Sequence, residues 1–305
     1  MIMENVSISA SVSKTATTLL SPSRKPRLPW NLLVMQRMFP VLEAIAPRYA
    51  RSFFTKRFFT PWKFAIPEAE QNVLQRAETY TVQAGHLSVQ VYTWGRGPAI
   101  VLVHGWAGRA GQFRSFIEYF TANGYQVIAF DAPAHGNSPG KRTNIVEFKD
   151  AIHALHAHVK KIEAIIAHSI GGAATVFALA EGLPVNTLVT IATPADAEEI
   201  LHEYAARLHA SAKAIGHLRN YIYRTFNRPF HELTAAYFAT RLNPATRWLI
   251  LHDEHDKEIS IRNATLLSNA YPHATLKITA GLGHVRILRD EATLQTCMEF
   301  IAVTR

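Results

Sequence analysis

Ile165-Ile166-Ala167-His168-Ser169-Ile170-Gly171-Gly172 packs an apolar β-branched run, a serine and the start of a helix-compatible segment into eight residues. Small residues stand two positions before and two positions after the serine. The pattern predicts a strand that turns sharply into a helix, with Ser169 at the tip of the turn. A bulky side chain at either flank would collide with the neighbouring strand or helix. A hydroxyl held at such a tip projects from the end of a sheet, where a base can reach it.

On both sides of this segment the chain alternates between short β-branched runs and longer helix-prone stretches. Residues 80–83 and 87–93 predict an opening antiparallel pair. Strands are expected at 99–103, 126–130, 162–167, 187–191, 248–252 and 275–279, with helices at 112–121, 145–159, 170–180, 260–269 and 290–302. Such alternation predicts an α/β fold with a mainly parallel sheet covered on both faces. The stretch 194–245 is helix-prone and too long for an ordinary connection. It is expected to form a helical cap inserted over the carboxyl edge of the sheet, within a domain spanning 67–305.

A serine hydroxyl needs a base, a group that orients the base, and donors for a developing oxyanion. His284 follows the last predicted strand on the glycine-rich loop Gly281-Leu282-Gly283-His284 and is the candidate base. The orienting acid is expected after the strand ending near His252. Asp256 is preferred to Asp253 because it lies farther along the loop, just before an expected helix N-cap at Ser260. The expected oxyanion donors are the backbone N–H groups of Ile170 and Trp106. Gly105 lets the Trp106 loop approach closely, and His104 is expected to pin that loop by hydrogen bonding. Residues 131–138 are expected to form a structured turn with no chemical role.

Together these motifs resemble the α/β-hydrolase superfamily, in its serine-hydrolase branch with an inserted cap. The order Ser169, Asp256, His284 matches that family's order of nucleophile, acid and histidine. His104-Gly105-Trp106 looks like its oxyanion loop, and residues 131–138 are similar to its loop after the fourth strand. Ala167 stands where the family pattern often has glycine. The resemblance runs from about 79 to 305 and implies cleavage of a small-molecule carboxylic ester through an acyl-enzyme, with no cofactor and no metal. Lipase, thioesterase and amidase chemistry share the same scaffold. A non-catalytic binding module of this fold is the alternative from another class.

The composition is consistent with one large domain plus an extension: 305 residues, 48% hydrophobic. Cys297 is the only cysteine, so no intramolecular disulfide or cysteine metal cluster can form. This suits a cytoplasmic location. The formal net charge of +9 is concentrated at the N-terminus, where residues 1–63 hold ten Lys/Arg against two Asp/Glu. The near-neutral remainder argues against a nucleic-acid-binding body. Residues 1–28 are expected to be a disordered basic segment. In the region 29–66, Val34, Met38, Leu42, Ile45, Tyr49 and Phe53 recur at helical spacing, interrupted by Pro40 and Pro47. This region reads as an amphipathic helical arm, either packed on the hydrolase body or a second subunit, or anchored peripherally on an anionic membrane through residues 1–63.

Overall fold

The computed structural model describes residues 30–303, so the expectation for 1–28 lies outside the described residues. Eight strands form one sheet: β1 (Glu78–Ala84), β2 (Leu87–Trp94), β3 (Ala99–Val103), β4 (Gln126–Asp131), β5 (Ala164–His168), β6 (Thr187–Ile191), β7 (Arg247–Asp253) and β8 (Thr275–Thr279). The helices are α1 (Trp30–Ile45), α2 (Pro47–Phe58), α3 (Glu68–Gln75), α4 (Arg114–Ala122), α5 (Ile145–Val159), α6 (Ile170–Ala180), α7 (Ala197–Leu208), α8 (Ala212–Phe226), α9 (Ala235–Ala239), α10 (Arg262–Ala270), α11 (Gly283–Arg286) and α12 (Glu291–Ala302).

The strand order is β1-β2-β4-β3-β5-β6-β7-β8. β1 and β2 pair antiparallel, β2 joins β4 antiparallel, and every pairing from β4 through β8 is parallel. Side chains alternate between two cores, as the two-residue period of a strand requires. In β3, Val101 and Val103 face the core that includes Phe148 and Leu155 of α5 and Phe177 of α6. Ile100 and Leu102 face the opposite core, with Val73 of α3, Phe116 and Phe120 of α4, and Cys297 of α12. Both faces of the sheet are covered.

Two helix starts differ from expectation. The helix expected at 112–121 begins at Arg114, after a 3₁₀ turn over Ala110–Phe113. The Asp131 carboxylate accepts the Ala110 N–H at 2.8 Å and so holds this turn against the end of β4. The residue capping α10 is Ile261, not Ser260; the Ser260 hydroxyl accepts only a longer bond of 3.3 Å from the Arg262 N–H.

Between β6 and β7 the chain forms α7, α8, a 3₁₀ turn over Phe230–Glu232, and α9. The N-terminal helices pack on this insertion. The ring of Tyr204 of α7 lies 4.7 Å from that of Phe54, tilted by 39°, and its hydroxyl donates to the Phe54 carbonyl at 3.0 Å. The Ser211 N–H and hydroxyl both donate to the Glu43 carboxylate, at 2.9 and 2.7 Å. Phe39, Ala50 and Phe54 are fully buried in the larger core. Of the apolar positions that recur at helical spacing, Val34, Met38, Ile45 and Tyr49 are exposed, while Leu42 and Phe53 pack against the core. Helical spacing identified a real apolar row, but α1 carries a second one, and Phe39 lies on the row that packs.

Candidate active site

Ser169 caps α6 with φ 53° and ψ −129°, a left-handed conformation that residues with a Cβ rarely adopt. Its N–H donates to the Ile191 carbonyl of β6 at 2.9 Å, and its carbonyl accepts from Gly172 N–H at 2.9 Å. These bonds hold the strained turn in place. The surroundings leave no room for side chains at the adjacent glycines. A Cβ on Gly105 would lie 2.8 Å from the Ser169 Cβ, and one on Gly171 would lie 2.3 Å from the His104 carbonyl oxygen.

His284 is the second residue of the short α11, which follows the loop from β8. Its Nδ1 lies 2.7 Å from an oxygen of Asp256. A carboxylate only accepts, so Nδ1 carries a proton in this contact. The other oxygen of Asp256 accepts the N–H groups of Glu258 and Ile259 at 2.8 and 3.0 Å. Burial pushes the Asp256 carboxyl up, but the His284 bond and these backbone donors outweigh it and hold the group below the usual carboxylate range. Asp253 has different partners. It accepts from the His255 N–H, the Thr279 hydroxyl and the Leu282 N–H, at 3.0, 2.9 and 2.9 Å. It therefore ties the β7 turn to the loop that carries His284.

Three further histidines frame the site as neutral hydrogen-bonding groups. The Ala132 N–H donates to Nε2 of His104 at 2.9 Å, so its proton sits on Nδ1, which donates to the Gly105 carbonyl at 2.7 Å. The Ala107 N–H donates to Nε2 of His135 at 3.0 Å, and His135 Nδ1 donates to the Pro133 carbonyl at 3.0 Å. The two rings thus grip the 104–107 loop from both sides of Trp106. His168 donates from Nε2 to the His284 carbonyl at 2.9 Å. Burial lowers the pKa of His104 to about 4 and those of His135 and His168 to about 3. The part played by His135 and His168 was not read from the sequence. Each bonds a backbone group far along the chain, and a sequence pattern carries no trace of such a partner.

The N–H of Ile170, first residue of α6, has no helical carbonyl one turn behind it, and the Trp106 N–H has no partner among the described residues. Both residues line a cavity of about 570 Å³ together with Ser169, His168 and His284. That volume suits a small organic molecule. Gly105 also lines it, and His104 lies directly behind. Among the described residues, no group of three or more His, Cys, Asp or Glu side chains is placed to hold a metal ion. A serine at the tip of the turn, nearly buried but lining the cavity, and a histidine backed by a buried carboxylate form an arrangement suited to activating a hydroxyl.

The sheet order and elbow are those of one large class of enzymes, and residues 100–296 match the model of the alpha/beta hydrolase family, to which this chain belongs. Among curated proteins, the pimeloyl-[acyl-carrier protein] methyl ester esterase of Methylococcus capsulatus is 41% identical over 49 residues, 16% of this chain and 19% of the relative. The monoacylglycerol lipase of Mycolicibacterium smegmatis is 31% identical over 81 residues, 24% of this chain and 29% of the relative. The chain thus matches less than a third of the length of these relatives. Among solved structures, the Pyrococcus furiosus esterase Pf2001 superposes with a TM-score of 0.61 at 19% identity, covering 80% of this chain and 97% of that one. A membrane phospholipase A described as a bacterial virulence factor superposes with a TM-score of 0.58 at 16% identity, covering 91% of this chain and 99% of its own. These likenesses concern the fold.

Proposed function

We propose that this hydrolase cleaves carboxylic esters through an acyl-serine intermediate. The observation that carries the reading is the strained Ser169 turn opening into the same cavity as the His284–Asp256 pair. In this reading His284 Nε2 takes the Ser169 proton as Oγ attacks the ester carbonyl. The resulting oxyanion is met by the N–H groups of Trp106 and Ile170, and Asp256 stabilises the imidazolium. The carbon–oxygen bond to the alcohol breaks and His284 returns the proton to the departing oxygen. Water, deprotonated by His284, then attacks the acyl-serine and releases the acid. The esterase and lipase named among the relatives support an ester as the substrate. Ser169→Ala is expected to abolish hydrolysis of p-nitrophenyl butyrate and labelling by a fluorophosphonate probe. A wild-type protein that neither labels nor hydrolyses would instead favour a binding module.

A second reading, membrane contact, is favoured by α1. Among the described residues no helix is long and apolar enough to cross a membrane. Yet the outer face of α1 exposes Val34, Met38, Val41 and Ile45 at spacings of four, three and four. Arg37 and Arg48 flank this row in solvent, and residues 1–29 add Lys14, Arg24, Lys25 and Arg27 against the single acid Glu4. An apolar row among cations fits the headgroup boundary of an anionic bilayer. The full chain is expected to float with vesicles containing phosphatidylglycerol and not with pure phosphatidylcholine, and the M38E/I45E double variant to lose flotation. Equal flotation of variant and parent would overturn this reading, as would a concentration-dependent dimer that the variant breaks.

A further inference from the structure

The cavity above Ser169 is walled in part by residues outside the family match, which begins at residue 100. Met35 of α1, Phe58 at the end of α2, and Phe59, Trp62 and Phe64 of the connection to α3 all line it. They come from the N-terminal arm and not from the hydrolase body.

The wall is firmly built. The Phe58 ring lies 5.2 Å from that of Tyr204, and the Phe59 ring 5.7 Å from that of Tyr221. The Thr143 N–H donates to the Phe59 carbonyl at 2.9 Å, fixing the connection to the segment before α5. The Arg57 guanidinium covers the Trp62 ring at 3.7 Å and donates to the Thr60 carbonyl at 3.0 Å. Buried Phe39 and Phe54 root the arm in the core. Ile222, Phe226 and Phe230 of the insertion also line the cavity. Arg57, Glu203, Arg207 and Glu258 reach it; Arg57 is engaged by Trp62, and Glu203 lies 3.8 Å from Arg207.

A two-carbon acyl group would leave most of such a cavity wet and its aromatic wall uncovered. A longer hydrocarbon chain would remove both surfaces from water. We propose that the arm, from α1 through residue 64, forms one wall of a subsite for a linear acyl chain, and that the substrates are fatty acyl esters rather than acetyl esters. This rests on the ester-hydrolysis reading for the fate of the chain, but not for its binding. Each methylene that enters an apolar site contributes about fourfold in affinity or in kcat/KM.

The test therefore has a binding arm and a turnover arm, both on the full chain. Titration of wild-type protein with hexanoate, octanoate and decanoate is expected to show affinity rising about fourfold per added methylene. Met35→Trp, which fills the subsite from α1, is expected to weaken decanoate binding about tenfold or more. Trp62→Ala, at a position already 39% exposed and so tolerant of truncation, should weaken it similarly by removing wall area. In turnover, the ratio of kcat/KM for p-nitrophenyl decanoate to that for the acetate should fall about tenfold in both variants. Affinity independent of chain length, or variants that bind decanoate as the parent does, would overturn the proposal. Graded binding without any hydrolysis would leave the subsite standing and remove the esterase reading. Hydrolysis with length-independent binding would do the reverse.

Discussion

Asp253 closes β7 and Asp256 follows three residues later on the loop, and their hydrogen bonds give these identical side chains different work. Asp256 faces the imidazole, whereas Asp253 is saturated by two backbone N–H groups and a threonine hydroxyl. Asp256→Asn removes the charge that fixes Nδ1–H on His284, and an amide N–H in its place favours the wrong tautomer. A fall in kcat of about 10⁴ is expected, with the melting temperature little changed. Asp253→Asn is expected to act through the loop, lowering the melting temperature by several degrees and kcat far less. Assays with p-nitrophenyl butyrate beside thermal melts separate the two. The sequence distinguished these aspartates only by their distance from a strand end. That was enough to prefer Asp256, because a side chain that bends toward the neighbouring loop must start past the strand. The same reasoning could not reach His135 or His168, whose partners are main-chain atoms 28 and 116 residues away.

At the scale of elements, α6 and α8 give opposite expectations for one substitution. Gly171 in the first turn of α6 is pressed against β3, where an added Cβ would meet the Val103 and His104 carbonyl oxygens at 2.7 and 2.3 Å. Gly171→Ala must push α6 away from the Trp106 loop. A loss of about 1–3 kcal/mol is expected, with kcat reduced because Ile170 N–H moves with the helix. Gly216, inside α8, has nothing within 4 Å of the same position. Gly216→Ala should instead stabilise by about 0.5–1 kcal/mol, since alanine loses less backbone freedom on entering a helix. Denaturant melts of the two variants check both signs. Strands were the most legible elements, because the parallel core demands uninterrupted Val, Ile, Leu and Ala in short runs such as 99–103 and 164–167. Helix starts were less so. The true start of α4 is set by Asp131, a residue on a strand, through a bond that local propensity does not encode.

Among the described residues four imidazoles are at most 5% exposed and have their pKa lowered by burial: His252, and, with the larger shifts, His104, His135 and His168. The folded pKa values of His104, His135 and His168, about 4, 3 and 3, lie below the ordinary value of 6.5. Unfolding therefore takes up protons below pH 6.5. The stabilisation from keeping them neutral is complete above that pH and declines as pH falls toward 3–4. At pH 5 each site accounts for about 2 kcal/mol, so the melting temperature should drop roughly 10 °C or more between pH 7 and pH 5. A flat profile across that range would show that these rings titrate normally. The class of fold was legible at this scale because four motifs stand at strand ends in the right order. How the arm is used was not. A helix apolar on two sides presents the same periodic signal whichever side finds a partner.

That two-sided helix also bears on how such proteins are recombined. Glu43 grips Ser211, and Tyr204 holds the backbone of Phe54. The roof over the cavity at Ser169 is thus stitched from two distant stretches of chain, one before the sheet and one in its middle. A chimera that borrows only 194–245 from this protein would inherit a roof with its joists missing. A graft intended to carry over its selectivity has to transplant residues 30–64 in the same operation.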